Sequence, residues 1–222
     1  MHRITIFAGH YGSGKTNLAV NHAFQLRKSH PDKRIAVCDL DIANPYFRAL
    51  DSKKALEISN IEMIASGFSN SNLEAPSIPS SVSAIFDCKD ILGIIDVGGD
   101  DRGAYALGRY SGRIAEEGAQ ILLVCNCFRP LSKSPLQIES FKREIEAAAN
   151  VRFTGMVNNS NLGSETTAED VLKSMDFIDA ASAACGLPVV FTAARRDLLP
   201  SLEGKMPGLV GIDIFRTEKW RI

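Results

Sequence analysis

Gly9-His10-Tyr11-Gly12-Ser13-Gly14-Lys15-Thr16 follows directly on the apolar run Ile4-Thr5-Ile6-Phe7-Ala8. The octet fits G-x-x-x-x-G-K-[ST], and it sits between an apolar run and a helix-period segment, the context this phosphate-binding pattern requires. Its glycines permit a tight turn whose backbone N–H groups converge on phosphate oxygens. Lys15 supplies a point charge for the terminal phosphates, and the Thr16 hydroxyl suits a magnesium ion. The next segment, Asn17 to Arg27, carries apolar residues at Leu18, Ala19, Ala23 and Leu26. A helix there would add the dipole of its N-terminus to the loop. His10, Tyr11, Ser13 and Asn17 complete the stretch expected to surround a nucleoside triphosphate.

Working outward, short apolar runs recur at Ile35–Cys38, Ile61–Ala65, Ile91–Ile95, Ile121–Val124, Phe153–Val157 and Pro188–Phe191. Helix-period segments such as Pro135–Ala149 and Thr167–Cys185 lie between most of them, long enough to serve as crossovers. Near-continuous apolar strands alternating with helices imply an α/β fold with a mostly parallel sheet covered on both faces. The run Leu209–Phe215 can add a last strand, giving seven or eight. All 222 residues fit one P-loop domain. Ser66–Ser83, rich in Ser, Asn and Pro, reads as a loop with a short helix.

In such a fold ligands sit at the C-terminal ends of the strands, and three clusters fall there. Cys38-Asp39-Leu40-Asp41 closes the second strand with two carboxylates, suited to metal-bound water and to orienting an attacking water. Ile94-Ile95-Asp96-Val97-Gly98-Gly99 sets an acid at the end of an apolar strand, followed by glycines. Asp96 suits water-mediated contact with magnesium, and the Gly99 N–H suits a γ-phosphate. Val157-Asn158-Asn159 ends the sixth strand, where side-chain amides can read a base edge. No Asn-Lys-x-Asp guanine reader occurs, and asparagine offers both donor and acceptor to adenine, so ATP is expected rather than GTP.

Charge is balanced, 25 Lys and Arg against 26 Asp and Glu, with no basic block to suggest nucleic acid. No apolar stretch reaches membrane-spanning length, and the C-terminal Arg216–Ile222 is too short for an amphipathic anchor. Five scattered cysteines suit reduced thiols in the cytoplasm. Cys125 and Cys127 share a strand face; a metal or cluster role would need further ligands.

The order of these motifs resembles the MinD/ParA nucleotide-binding superfamily within the SIMIBI class of P-loop proteins. Asn44-Pro45-Tyr46-Phe47-Arg48 and Asp96-Val97-Gly98-Gly99-Asp100 are similar to a bacterial group labelled by ATP binding. The resemblance runs from the first strand to about Arg196. It implies a Walker-A strand beside the Asp96 strand, with Thr16, Asp39 and Asp96 around Mg2+ and Lys15, Asp39 and Asp41 in the chemistry. It also implies ATP-driven homodimer closure and a protein partner that reads the switch. A metabolic alternative in the same superfamily resembles dethiobiotin synthetase, and a metallochaperone role rests on the cysteines alone. The superfamily's signature lysine early in the loop is replaced here by His10 and Tyr11. Arg48, Arg102 and Arg109 are the candidates to supply the missing charge.

Overall fold

The computed structural model describes residues 2–40, 53–65 and 81–215. Asp41, the Asn44–Arg48 run, most of the Ser66–Ser83 loop and the terminal Arg216–Ile222 lie outside them. The apolar runs become strands β1 (Ile4–Ala8), β2 (Arg34–Leu40), β3 (Glu62–Ala65), β4 (Ile91–Val97), β5 (Gln120–Cys125), β6 (Gly155–Asn158), β7 (Val189–Arg195) and β8 (Leu209–Ile212). They form one sheet in the order β3-β2-β4-β1-β5-β6-β7-β8, and every pairing is parallel.

Helices α1 (Lys15–Ser29), α2 (Lys53–Ile58), α3 (Ser81–Asp87), α4 (Asp101–Gly108), α5 (Ser111–Glu117), α6 (Pro135–Ala149), α7 (Ala168–Cys185) and α8 (Leu199–Leu202) connect the strands. The bounds of α6 follow from local chemistry. Ser134 and Gln137 form a reciprocal capping box, Pro135 occupies the first turn, and Asn150 ends the helix in the left-handed region. Thr167 and Asp170 start α7 in the same way. Strand β6 begins two residues later than the apolar run at Phe153, because Thr154 bonds Ile121 through both its amide and its hydroxyl before regular pairing starts.

Strand alternation divides the core in two. Ile4, Ile6 and Ala8 face a layer built from α3 to α7, including Ile85, Leu107, Phe141 and Ile178. Phe7, with Val37 and Ile94, faces α1 and α2 through Leu18, Ala19, Ala23 and Leu56. Both faces are covered, which is why β1 and β4 are buried along their whole lengths.

This layering positions a crevice. The connection after β1 leads to the α1 face, whereas those after its neighbours β4 and β5 lead to the opposite face. Adjacent strands whose connections diverge leave a cleft at their C-terminal ends. The octet that follows β1 lies there.

Candidate functional site

The loop is held by close main-chain approach from both sides. Gly14 caps α1 at φ +88°, and a Cβ at that position would lie 2.3 Å from Asn159 Nδ2. Only glycine satisfies both conditions. On the other side, a Cβ on Gly99 would lie 2.7 Å from the Gly9 carbonyl oxygen and from the Tyr11 nitrogen. The Gly99 backbone therefore lies directly against the loop. Gly14 caps α1 without any side-chain hydrogen bond, so no side chain competes for the first-turn amides.

Lys15 is buried, and its Nζ donates to the His10 carbonyl at 3.1 Å. The ammonium thus curls back over the loop it follows. Thr16 Oγ1 donates to Asp96 Oδ2 at 2.5 Å. Strand register explains this contact: Phe7 pairs with Asp96, and Asp96 pairs with Asp39. Side chains in register across parallel strands share a face, so Asp96 and Asp39 point toward α1, where Thr16 begins its first turn. Their exposures are only 1% and 4%. Two such carboxylates beside a hydroxyl form an all-oxygen donor set, the chemistry that magnesium prefers, with phosphate oxygens and water filling the remaining positions. Ser13 Oγ, fully buried within the loop, has no hydrogen-bond partner. An orphaned buried hydroxyl in a phosphate cradle fits a ligand that supplies the missing acceptor.

The two asparagines at the end of β6, Asn158 within it and Asn159 just after it, do different things. Asn159 Nδ2 donates to the Ser13 carbonyl at 2.7 Å, and its own amide donates to the Cys125 carbonyl at 2.8 Å, so it braces the loop against β5. Asn158 is fully buried, with Nδ2 donating to Ser174 Oγ at 2.8 Å while Oδ1 accepts from the Ser160 amide. A group that reads a base edge must face the ligand, whereas Asn158 faces α7. Asn17, expected beside the nucleotide, is bonded to the segment that follows β8. Its side chain donates to the Asp213 carbonyl at 3.0 Å and accepts from the Phe215 amide at 2.9 Å, with Asn21 adding two bonds to Asp213.

His10 does not project from the loop. Its ring lies 3.8 Å from that of Phe141, and burial lowers its pKa below the ordinary value, with Lys15 lowering it further and Glu144 opposing. Burial thus favours the neutral imidazole. Tyr11 is 62% exposed. Arg102 and Arg109 are exposed, and neither makes a hydrogen bond to the loop among the described residues. The cation that does is Arg129, which follows β5; its Nε donates to the Gly12 carbonyl at 3.0 Å. Sequence reasoning missed it by searching for charge only near the two acidic switch segments. The available signal was its place at the end of the strand that neighbours β1.

Cys125 is buried at the end of β5 and its thiol is pushed strongly upward by burial, as is that of Cys38, which also feels the Asp39 and Asp96 carboxylates. Among the described residues no three His, Cys, Asp or Glu side chains come together as a metal-holding group. No helix among them is long and apolar enough to cross a membrane.

No family model and no curated protein matches the chain. Solved structures do. Chloroplast FtsY from Physcomitrella patens aligns at a TM-score of 0.54 with 15% identity, over 86% of this chain and 58% of that one. This is a P-loop NTPase fold. Signal recognition particle receptor FtsY from Elizabethkingia anophelis matches at 0.49 and 17% identity, over 85% of this chain and 57% of its own. FlhF complexed with GTP/Mg(2+) matches at 0.47 and 15%, over 86% and 65%. The chain spans less than two thirds of each of these neighbours. Strand β1, which leads into the octet, lies directly beside the Asp96 strand β4, the adjacency that the family resemblance implied.

Proposed function

We propose that this chain is a magnesium-dependent ATP-binding switch of MinD/ParA type that hydrolyses its nucleotide slowly. The observation that carries the reading is the convergence of buried Lys15 and Asp96 with the half-buried Thr16 on one glycine-lined loop, with Asp39 in register beside them. The α1 N-terminus and the loop amides receive phosphate oxygens, and Lys15 exchanges the His10 carbonyl for a phosphate oxygen. Bound magnesium would neutralise charge on the terminal phosphates. Thr16, Asp96 and Asp39 would hold that ion, and Asp39 or Asp41 would orient the attacking water.

The preference for ATP rests on the absence of an Asn-Lys-x-Asp guanine reader. FlhF was solved with GTP/Mg(2+), so the two nucleotides belong side by side in the test. ATP-driven homodimer closure, a protein partner and a cytoplasmic setting belong to the same proposal, supported by motif order alone.

The test is phosphate release with ATP or GTP, with and without Mg2+, and with no acceptor added. Slow magnesium-dependent release from ATP, exceeding that from GTP, is expected. Release only after adding a small-molecule acceptor would shift the reading to a phosphotransferase or ligase. A chain that binds neither nucleotide would overturn it.

A further inference from the structure

We infer that Arg129 is a catalytic cation supplied within the chain, placed to stabilise the charge that develops on the terminal phosphates during hydrolysis. The inference rests on the nucleotide-binding reading above. A single ammonium, that of Lys15, is provided by the loop itself; the imidazole of His10 is turned away onto Phe141. Phosphoryl transfer spreads charge over the transferring oxygens, and a guanidinium aimed there contributes far more to the rate than to ground-state binding.

Arg129 has the placement this requires. Ala8 pairs with Leu123, so the segment after β5 rises beside the phosphate loop. The side chain packs against the loop at Gly12: a Cβ there would sit 3.5 Å from Arg129 Cδ and 3.6 Å from Nε. The Nε–H anchors on the Gly12 carbonyl, and the guanidinium makes no ion pair with any described residue. Its other N–H donors remain available for phosphate oxygens.

The segment is also stiff. Asn126 Oδ1 accepts from the Phe128 and Asn161 amides, while its Nδ2 donates to the Asn161 carbonyl. The Arg129 amide donates to the Asn126 carbonyl at 3.1 Å, its own carbonyl accepts from Ser132 at 3.0 Å, and Pro130 follows. A cation held before the ligand arrives needs little reorganisation when charge develops.

The alternative is a brace for Gly12 with no role toward phosphate. Arg129→Met separates the two, because it keeps the stem over Gly12 and removes the charge; Arg129→Ala serves as the second variant should one fail to fold. Binding of ADP, of a non-hydrolysable ATP analogue and of ADP with fluoroaluminate would be measured in Mg2+ by calorimetry, alongside ATP turnover. For ADP and the analogue the account expects affinities changed by less than about threefold, the size of a screened surface contact. Turnover and fluoroaluminate-complex affinity should both fall by about 10²-fold or more. Equal losses for all three ligands, or turnover within about threefold of wild type, would make Arg129 a brace and overturn the assignment. A wild-type protein that binds none of them would remove the functional reading and this inference together.

Discussion

On one side of β1 the neighbouring strands carry acid to the phosphate loop: Asp96 from β4 and Asp39 from β2, in register and buried. On the other side β5 and β6 bring amides and a guanidinium, namely Asn126, Asn159 and Arg129. Both flanks are parallel strands with near-continuous apolar interiors, so the sheet alone does not set the difference. The residues at the strand tips do. Carboxylates suit a cation, while amides and guanidinium suit main-chain carbonyls and anions. In the proposed reading, the loop between them would hold a metal on one edge and would keep its shape and balance phosphate charge on the other.

The largest expected effect belongs to the group between the flanks. Lys15→Ala should weaken ATP binding by about 10²-fold or more, as for loss of a buried charge-assisted contact, read by calorimetry. Unchanged affinity would mean the loop does not hold phosphate. Next comes the acidic flank. Asp96→Asn keeps a partner for Thr16 but removes a charge, so turnover should drop about 10²-fold while metal-free nucleotide binding stays near wild type. Loss of metal-free binding as well would place Asp96 in the architecture of the loop rather than at a metal.

The amide flank should respond more gently and through stability. Asn159→Ala leaves the Ser13 carbonyl without its donor and should cost about 1–3 kcal/mol in chemical unfolding, with a smaller loss of ATP affinity. A loss of turnover as large as for Asp96→Asn would erase the distinction between the two sides.

The effect smallest at neutral pH, and growing only in acid, lies on α1. Burial lowers His22 to about 4 from an ordinary 6.5, its ring packed edge-on against Phe7. The unfolded chain binds this proton more readily, so the stabilisation is full above about pH 6.5 and falls by up to about 1.4 kcal/mol per unit as pH drops toward 4. His22→Gln should flatten unfolding free energy over that window. An unchanged slope would assign the acid sensitivity to other groups.

The fold was legible in the residues because its strands and helices are marked locally. Pro135–Ala149 is bounded by a capping box and a left-handed Asn150, and its limits read directly from the chain. The acid flank was equally legible, since Asp39 and Asp96 end apolar runs beside a recognisable loop. The amide flank was not. Asn158 and Asn159 are adjacent and chemically identical, and only the packing of α7 on one and of Gly14 on the other separates their tasks. Asn17 carried no local mark of its partner, which lies 196 residues away at Asp213. Arg129 is one of 25 basic residues, and its significance comes from β5 lying next to β1, a pairing that sequence spacing does not reveal.

The most direct test is to titrate wild-type protein and Asp96→Asn with a non-hydrolysable ATP analogue in Mg2+ and again in chelator. One saturable site that magnesium tightens in the wild type, but no longer in the variant, is the predicted result. Magnesium tightening that survives in Asp96→Asn, or a wild type that takes up no nucleotide, would contradict the metal-and-phosphate loop described here.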